Sequence, residues 1–193
     1  MITTPIEAKT AARQPAQLWT KKGLGRLGYL IRQTRQDMGW SLDKLASAVF
    51  AATGEQIAKK TIGNIENNVG FPQYNSLAAI AALRLIKSPT GRPLDHHDFI
   101  DIASENYPIT FMDIRNMIGC AMLMNKISEG EINRNLQAMQ ERLIEPFTLD
   151  RLEKIKQGRI APTPEDIRVI RLLVDPYENA FTEIEWLESA NLS

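Results

Sequence analysis

Cysteine and histidine are scarce in this sequence of 193 residues: Cys120 is the single cysteine, and His96 and His97 are the two histidines. A single cysteine excludes an intramolecular disulfide and a cysteine-based metal cluster. The histidines are adjacent, and adjacent residues of a helix point about 100° apart, so they are poorly placed to bind one ion. We therefore predict neither a metal site nor a cofactor, and we interpret residues 95–98 as a polar helix start.

Long apolar runs are absent as well. No apolar stretch reaches the roughly 20 residues needed to span a bilayer, and residues 1–19 lack the apolar segment of a secretory signal. We therefore expect a cytoplasmic protein with no membrane partner. Apolar residues make up 44% and charged residues 24% of the chain, which is typical of a globular protein. The length suits one large domain or two small ones.

Catalytic arrangements are also missing. Ser41 has no histidine near it in the chain, and Cys120 lies in an apolar stretch. The Gly-Leu-Gly run at 23–25 precedes a predicted helix but follows no predicted strand, so it does not match a phosphate-binding loop. We expect a protein that is not an enzyme.

The net charge is zero, but the charges are unevenly distributed. Residues 1–100 contain 13 Lys and Arg against 7 Asp and Glu, whereas residues 101–193 contain 10 against 16. Neutralisation of phosphates by basic residues supplies most of the non-specific affinity of proteins for DNA. The basic half is therefore the better candidate for binding nucleic acid.

A helix is predicted to follow Ser41 in the basic half. Ser41 is suited to capping its N-terminus, with Asp43 in the first turn, where the helix dipole favours a negative charge. Apolar residues then recur three or four positions apart, which predicts one buried stripe. The stripe comprises Leu42, Leu45, Ala46, Val49 and Phe50.

A second helix is predicted over residues 59–67, with Ile62 and Ile65 facing inward. Asn68 follows it, where a left-handed residue is usual, and Pro72 prevents the helix from continuing. The outward-facing residues are polar or small, which suits a helix that enters a DNA groove. They are Lys59, Lys60, Gly63, Asn64 and Asn67.

Three more helices are predicted around this pair, over residues 24–37, over 75–85, and from Asp95 onward. The first has Leu27, Leu30, Ile31 and Thr34 on its inner face, and Gly39 ends it. A turn-rich segment at 88–93 precedes the helix that begins at Asp95.

This arrangement resembles the lambda-repressor-like helix-turn-helix regulators of bacteria and phage. The resemblance covers roughly residues 24–86, and two positions depart from the family pattern. The connection between Val49 and Ile57 is longer than the family's turn, and Asn68 stands where Gly is commoner. The residues that carry the resemblance are Leu30, Arg35, Gly39, Ser41, Leu45, Ala46, Thr61, Ile62, Ile65, Glu66 and Pro72.

The resemblance implies roles for individual residues. Lys59, Lys60 and Asn64 lie where the family reads bases, and Lys and Asn are able to pair with guanine and adenine. Arg35 and Glu66 correspond to a structural ion pair in the family. The candidate DNA-binding residues are Lys59, Lys60, Thr61, Gly63, Asn64, Asn67, Ser41 and Arg32.

The second half repeats part of this pattern, which indicates an internal duplication. In both halves a cap residue comes three positions after an Ile, and a Pro comes seven after it: Asn68 and Pro72 after Ile65, and Gly158 and Pro162 after Ile155. Upstream, Ser128 corresponds to Ser41 and Ile132 to Leu45. Thr148 would cap the counterpart of the recognition helix, with Leu149, Leu152 and Ile155 inward.

The second copy does not retain the residues that carry the DNA-binding prediction. Met122 replaces Arg35, Lys156 replaces Glu66, and Leu149 and Asp150 replace the lysine pair. We expect a packing or dimerisation unit, with auxiliary DNA contact as the alternative. The apolar stretch 117–127 is either core or subunit interface. A C-terminal helix with Phe181, Ile184 and Leu187 on one face either closes this unit or binds a partner helix.

The sequence thus predicts an all-α protein in three parts. Residues 1–22 form a flexible basic arm that carries Lys9 and Arg13, residues 23–105 a helix-turn-helix domain as a five-helix bundle, and residues 106–193 a diverged second unit. The expected function is sequence-specific binding of double-stranded DNA in transcription regulation, as a repressor and a homodimer. The alternative is a protein-interaction module, such as an antitoxin, that binds its partner through the acidic half.

Overall fold

The computed structural model describes residues 19–88, 90–140, 143 and 146–190. In these residues the chain forms α-helices, one short 3-10 helix and no strand, so the predicted all-α class is confirmed. Residues 1–18 of the predicted arm, with Lys9 and Arg13, lie outside the described residues.

Ten α-helices follow one another in the described part of the chain, with the 3-10 helix Ile109–Phe111 between the fifth and the sixth. They are α1 (Lys21–Asp37), α2 (Leu42–Thr53), α3 (Lys59–Glu66), α4 (Tyr74–Ala81), α5 (His96–Ala103), α6 (Ile114–Asn125), α7 (Glu129–Met139), α8 (Leu149–Lys156), α9 (Pro164–Val174) and α10 (Glu183–Ser189).

Side-chain caps define where most helices begin. Ser41, Ser128 and Thr148 each accept a hydrogen bond from a backbone amide in the first turn of the following helix, as predicted. Thr20 caps α1 in the same way, so α1 begins three residues earlier than predicted. Trp19 before it is buried. The part of the predicted arm from residue 19 to 22 is therefore part of the fold.

Helix α4 is shorter than the predicted helix over 75–85. It begins after Gln73 and ends at Ala81, and Arg84 then adopts a left-handed backbone conformation with φ of 52°. The chain turns here because Ile86 and Leu94 are both buried, and the Leu94 amide donates to the Ile86 carbonyl at 2.8 Å. The burial of Ile86 and Leu94 therefore outweighs the apolar periodicity that predicted a helix up to residue 85.

Two apolar side chains predicted to be buried, Phe50 and Leu149, are exposed instead, and so is Ile184, whose apolar face was expected either to close the second unit or to bind a partner helix. Phe50 of α2 is 57% exposed, Ile184 of α10 is 67% exposed, and Leu149 of α8 is 37% exposed. Neighbouring helices cover only one side of each of these three helices. The buried stripe is therefore narrower than the apolar stripe in the sequence, and the three residues lie at its margin. On α2 the stripe is confirmed at Leu45 and Val49, which are buried.

Helix α1 is the central helix of the protein and packs against α3, α5 and α6. Glycines allow these close approaches, since a Cβ atom at Gly23 would lie 2.4 Å from the Ala103 carbonyl oxygen of α5. A Cβ atom at Gly28 would lie 2.2 Å from the Ile65 carbonyl oxygen of α3. The glycines of α1 thus set its distance from its neighbours.

Replacing Gly28 with alanine is expected to lower the free energy of unfolding by about 3 kcal/mol, because backbone atoms of α1 and α3 would have to separate. Gly130→Ala is the matched control: Gly130 lies in α7, and a Cβ atom there would have only the Ser128 hydroxyl, at 4.0 Å, as a neighbour. We expect it to be neutral or slightly stabilising. Urea unfolding of both variants measures the difference, and equal midpoints would contradict the close packing.

The apolar stretch 117–127 lies in α6, which packs against α1, α8, α9 and α10. Met117, Ile118, Cys120 and Ala121 are completely buried, so the core alternative is the correct one for this part of the stretch. Burial raises the pKa of the Cys120 thiol. Helix α10 covers α9 and buries Trp186, and in this way it closes the second half.

None of the described helices combines the length and apolar character needed to cross a bilayer. Within the same residues, no three Cys, His, Asp or Glu side chains come together as a group that could bind a metal ion. His96 and His97 instead begin α5, where Asp95 and Asp98 form a capping box.

Candidate nucleic-acid interface

Helix α3 lies on α1 and α2 and presents its remaining side to solvent. Ile62 and Ile65 face these two helices and are buried, as predicted. On the outer side Lys59, Lys60 and Asn67 are exposed, whereas Thr61, Gly63 and Asn64 are half-buried. The predicted residues of α3 therefore lie on one accessible surface, which we call the α3 face and define as Lys59, Lys60, Thr61, Gly63, Asn64 and Asn67.

The N-terminus of α3 has unusual chemistry for a helix start. Its N-cap residue is Ala58, which makes no side-chain cap, and no acidic residue lies in the first turn. Two lysines occupy the first positions instead, where the helix dipole disfavours positive charge. An anion bound at this end would be stabilised by the lysines, by the free backbone amides and by the dipole together.

Lys59 has one neighbour of opposite charge among the described residues. Its Nζ atom lies 3.4 Å from the Asp43 carboxylate, and the two side chains are 64% and 70% exposed. Exposed ion pairs of this kind contribute about 0–1 kcal/mol. This contact is therefore too weak to prevent Lys59 from binding an anion.

Arg32 and Asn67 are brought together at the C-terminal end of the α3 face. The Arg32 guanidinium donates to Asn67 Oδ1 at 3.2 Å, and Asn67 Nδ2 donates to the Gly63 carbonyl oxygen at 2.6 Å. Arg32 is half-buried on α1. It is thus fixed beside α3 and retains guanidinium N–H groups that do not face Asn67.

Ser41 is the N-cap residue of α2, and the residue after it, Leu42, lies beside Gly63 in the middle of α3. Its hydroxyl accepts a hydrogen bond from the Lys44 amide at 3.1 Å, and the residue is exposed. The proton of this hydroxyl is still available to donate to a phosphate oxygen. A Cβ atom at Gly63 would lie 3.5 Å from Leu42 Cδ1, which is an ordinary van der Waals distance, so α2 and α3 pack together here without requiring a glycine.

Arg35 and Glu66 form an ion pair beneath the α3 face. Arg35 Nε and Nη2 donate to the two carboxylate oxygens of Glu66 at 2.6 and 2.7 Å, and Nη1 donates to the Trp40 carbonyl oxygen at 2.6 Å. The hydrogen bonds to Glu66 raise the pKa of Arg35. This guanidinium therefore connects the end of α1, the approach to α2 and the end of α3.

Residues outside the predicted set also surround α3. A groove of about 370 Å³ lies beside it, lined by Gln56, Phe71 and Gln73 together with Thr61 and Asn64 of the predicted set. Phe71 is 67% exposed. No sequence pattern indicates this grouping, because Gln56 and Gln73 belong to two different connections that meet only in the folded chain.

Comparison of the chain with protein family models, curated proteins and solved structures found no match. Function is therefore inferred from the residues of the α3 face and their surroundings.

Proposed function

We propose that this protein is a sequence-specific double-stranded DNA-binding regulator of transcription, a repressor of the lambda-repressor-like type, with α3 as its recognition helix. The observation that carries the proposal is the N-terminus of α3, which is exposed, uncapped and occupied by two lysines. Such a start is unfavourable for an isolated helix and favourable next to phosphates and the electronegative major groove.

Helices α1 to α5 supply the scaffold for this role, as a five-helix unit of the lambda-repressor-like kind. A recognition helix must be held rigidly, and α3 is fixed by the buried Ile62 and Ile65 and by the Arg35–Glu66 ion pair. Lys59, Lys60 and Asn64 would then face base edges, where Lys recognises guanine and Asn recognises adenine. Ser41, Thr61, Asn67 and Arg32 would contact the sugar-phosphate backbone.

We further propose that α6 to α10 is a diverged copy of α1 to α5. Left-handed residues support this duplication: Gly39 after α1 corresponds to Lys126 after α6, and Asn68 after α3 corresponds to Gly158 after α8. Helices α5 and α10 both begin with a capping box, and a buried aromatic residue, Phe99 or Trp186, follows the last residue of the box.

The counterpart of the recognition helix in the second unit, α8, differs in its electrostatics. Thr148 caps it and Asp150 lies in its first turn. Its cations contact carboxylates: Lys154 contacts Asp150, Arg151 contacts Asp166, and Lys156 contacts Glu129 and Glu153. Helix α8 thus lacks the cationic start of α3, which supports a packing or dimerisation role for the second unit rather than base recognition.

A homodimer fits the DNA-binding proposal. Two copies of the chain related by a twofold axis would present two α3 helices to a palindromic site, with half-sites about 34 Å apart. The second unit is the candidate for the dimer contact, because its helix α8 lacks the cationic start of α3 and its surface carries exposed apolar residues, among them Leu172, Tyr177 and Ile184.

The rival function is that of a protein-interaction module, such as an antitoxin. The observation that favours it is the same C-terminal surface, where Tyr177 is 82% exposed next to Glu178 in the chain, and Glu178 and Glu183 both contact Arg171. The salt dependence of the binding affinity distinguishes the two functions. DNA binding through several lysines weakens steeply between low and moderate salt, whereas apolar docking does not.

The replacement of Lys59 and Lys60 together by alanine tests the proposal. We expect a loss of affinity for the selected DNA site of roughly 100-fold, because two base or phosphate contacts disappear, each worth about 1–3 kcal/mol. The melting temperature should not fall, since both side chains are exposed and the helix dipole disfavours cations at this position. Fluorescence anisotropy with a duplex selected from random genomic DNA by the wild-type chain measures the effect.

Lys154→Ala, which removes one exposed lysine of α8, is the control for this variant. Lys154 occupies an exposed position on α8, and its ammonium contacts Asp150 at 2.6 Å. We expect it to leave DNA binding nearly unchanged. Wild-type affinity of the Lys59→Ala/Lys60→Ala variant would remove α3 from its assigned role, and an equal loss for Lys154→Ala would show that both units contact DNA.

A further inference from the structure

A cleft lies between the two halves of the protein at the C-terminal end of α3. Its volume is about 670 Å³, which lies within the range of ligand-binding sites and is far larger than one phosphate ion requires. Residues of α1, α3, α6 and the connection between α9 and α10 meet there. Among the lining residues are Lys21, Lys22, Asn68, Lys126 and Asn179.

The side chains that line this cleft are suited to an anion. Lys21, Lys22 and Lys126 form no ion pair with any described residue, and Lys21 and Lys126 are exposed. Glu66 is the one acidic residue in the lining, and both of its carboxylate oxygens accept hydrogen bonds from Arg35. Within the described lining, three lysines are therefore not neutralised by any carboxylate.

Asparagine side chains add hydrogen-bonding groups to the lysines. Asn68 Nδ2 donates to the Lys21 carbonyl oxygen at 2.9 Å, which joins the end of α3 to the start of α1. Asn68 Oδ1 is buried without a hydrogen-bond partner among the described residues; because an amide oxygen only accepts, it can take a hydrogen bond from a lysine ammonium but does not itself bind a phosphate. Asn179 donates to Asn125 at 2.9 Å on the opposite wall. The cleft thus has polar walls contributed by both halves.

The cleft is continuous with the α3 face. Asn67 belongs to the face and also lines the cleft, and Arg32, which donates to Asn67, lines a second groove of about 420 Å³. The two grooves share Leu123 and Lys126. A basic surface therefore extends from the C-terminal end of α3 to the junction of α6 and α7.

The length of α3 relates this surface to DNA. From residue 59 to residue 67 a helix rises about 12 Å, and the major groove is also about 12 Å wide. A helix that reads base edges with its first turn and lies across the groove brings its last turn to the strand that borders the groove. Asn67 and the cleft lie at that end of α3.

We infer that this cleft binds the phosphodiester backbone of DNA, with Lys21 and Lys22 of the first half and Lys126 of the second half as the phosphate-binding cations. The inference rests on the proposed function, and it assigns DNA contact in the second half to the end of α6. Helix α8, the sequence counterpart of the recognition helix, takes no part.

The test replaces Lys22 and Lys126 by glutamine in the full chain. Because this variant removes two phosphate-binding cations, the plot of log affinity against log salt becomes shallower by roughly 1.8, at about 0.9 per phosphate. Affinity at 150 mM salt falls roughly ten- to thirtyfold on the same basis. The fall is equal for the selected duplex and for a scrambled duplex of the same length, because phosphates carry no sequence information.

Lys87→Gln/Arg134→Gln removes the same charge from two exposed residues that do not line the cleft, and it keeps the wild-type salt slope. A wild-type slope for Lys22→Gln/Lys126→Gln overturns the inference. Lys59→Ala/Lys60→Ala distinguishes a failure of this inference from a failure of the proposed function, because Lys59 and Lys60 are the residues expected to make the protein prefer the selected duplex over the scrambled one. If that variant keeps its discrimination while the cleft variant loses affinity, the recognition helix is wrong and the cleft stands.

Inorganic phosphate distinguishes the source of the phosphate group. Titration of phosphate into the DNA-free protein, followed by amide shifts of Asn68 and Lys126, reports binding in the cleft. Saturable binding of free phosphate, together with unaltered DNA affinity of Lys22→Gln/Lys126→Gln, would assign the cleft to a small phosphorylated ligand. That outcome overturns the inference of a DNA-backbone site.

Discussion

Replacing Arg26 with methionine is expected to lower the free energy of unfolding by about 3–5 kcal/mol, because it leaves buried hydrogen-bond acceptors without their donor. Arg26 lies in α1 and is only 2% exposed. Its guanidinium donates twice to the Ala180 carbonyl oxygen, at 3.0 and 2.8 Å, and once to Glu185 at 2.8 Å. It also lies over the ring of Phe181, 4.6 Å from the centroid.

These contacts connect the two halves of the chain. Arg26 belongs to the first half, and its partners belong to the connection between α9 and α10 and to α10 itself. Asp175 fixes that connection from the other side: it is completely buried and accepts hydrogen bonds from the amides of Ala180 and Phe181. The Ala180 carbonyl is therefore held in position for Arg26, and the loss of the guanidinium cannot be compensated by a small movement.

The pH dependence of stability separates the charge of Arg26 from its packing. Burial alone would raise the pKa of Glu185, but the Thr182 amide and the Arg26 guanidinium lower it below its ordinary value. A carboxyl group whose folded-state pKa is lowered contributes stability that is present above its unfolded pKa, about 4.3, and is lost as the pH falls through the folded value. Arg26→Met should therefore lose less stability on acidification than the wild type.

Urea unfolding at neutral pH and at about pH 3.5 measures both effects of Arg26→Met. Glu185→Gln and the double variant complete a thermodynamic cycle, in which we expect the two changes to be less than additive, because they remove the same contact. A neutral-pH midpoint equal to that of the wild type, or full additivity in the cycle, would contradict the proposed connection between the halves.

Arg26 also marks the limit of what the sequence could predict about the fold. The helices were accessible from local signals, since Ser41, Ser128 and Thr148 cap the helices that follow them. The partners of Arg26 lie more than 150 residues away in the chain, and no local pattern reports such a contact. The close approach of Gly28 to α3 could not be predicted either, because it depends on how two helices that are distant in the chain cross.

Burial was predicted less well than helix position. Phe50 and Ile184 each extend an apolar period correctly, yet they are exposed, because the width of a buried stripe depends on how many neighbours cover the helix. Leu45 and Val49 lie at the centre of the stripe on α2, and they are buried as predicted.

The candidate site, like the fold, could be predicted from the sequence only in part. The exposed side of α3 followed from its period, with Ile62 and Ile65 inward and the lysines outward. The pairing of Arg35 with Glu66 was predicted from the family resemblance and not from the periodicity of the sequence. Lys126 could not be assigned to the cleft from the sequence, because its distance from α3 is determined by the packing of α1 against α6.

Glu66→Ala is the second substitution with a large expected effect, a loss of about 3–5 kcal/mol in the free energy of unfolding. The Glu66 side chain is 3% exposed and that of Arg35 is 12% exposed, so removal of the carboxylate leaves a largely buried guanidinium without its counter-charge. The remaining contact of Arg35 to the Trp40 carbonyl oxygen, at 2.6 Å, cannot neutralise it. At about 2–4 °C per kcal/mol for a chain of this size, the melting temperature should fall by roughly 10 °C.

The double variant Arg35→Met/Glu66→Leu distinguishes a buried charge from a packing defect. Replacing both partners of a buried ion pair by apolar residues of similar size is often neutral, whereas removing one partner is costly. We therefore expect the double variant to be more stable than Glu66→Ala, although the Trp40 carbonyl loses its donor in it. If the double variant is as unstable as Glu66→Ala, the cost arises from packing and the ion-pair interpretation is wrong.

DNA binding adds a second measurement on the same variants. Arg35 connects α1, α2 and α3, so Glu66→Ala should weaken DNA binding and lower stability together. Lys59→Ala/Lys60→Ala should weaken DNA binding alone, because those side chains are exposed and contribute little to the fold. A Glu66→Ala protein with the wild-type unfolding midpoint would show that the ion pair does not fix α3, and the rigidity of α3 would then depend on Ile62 and Ile65.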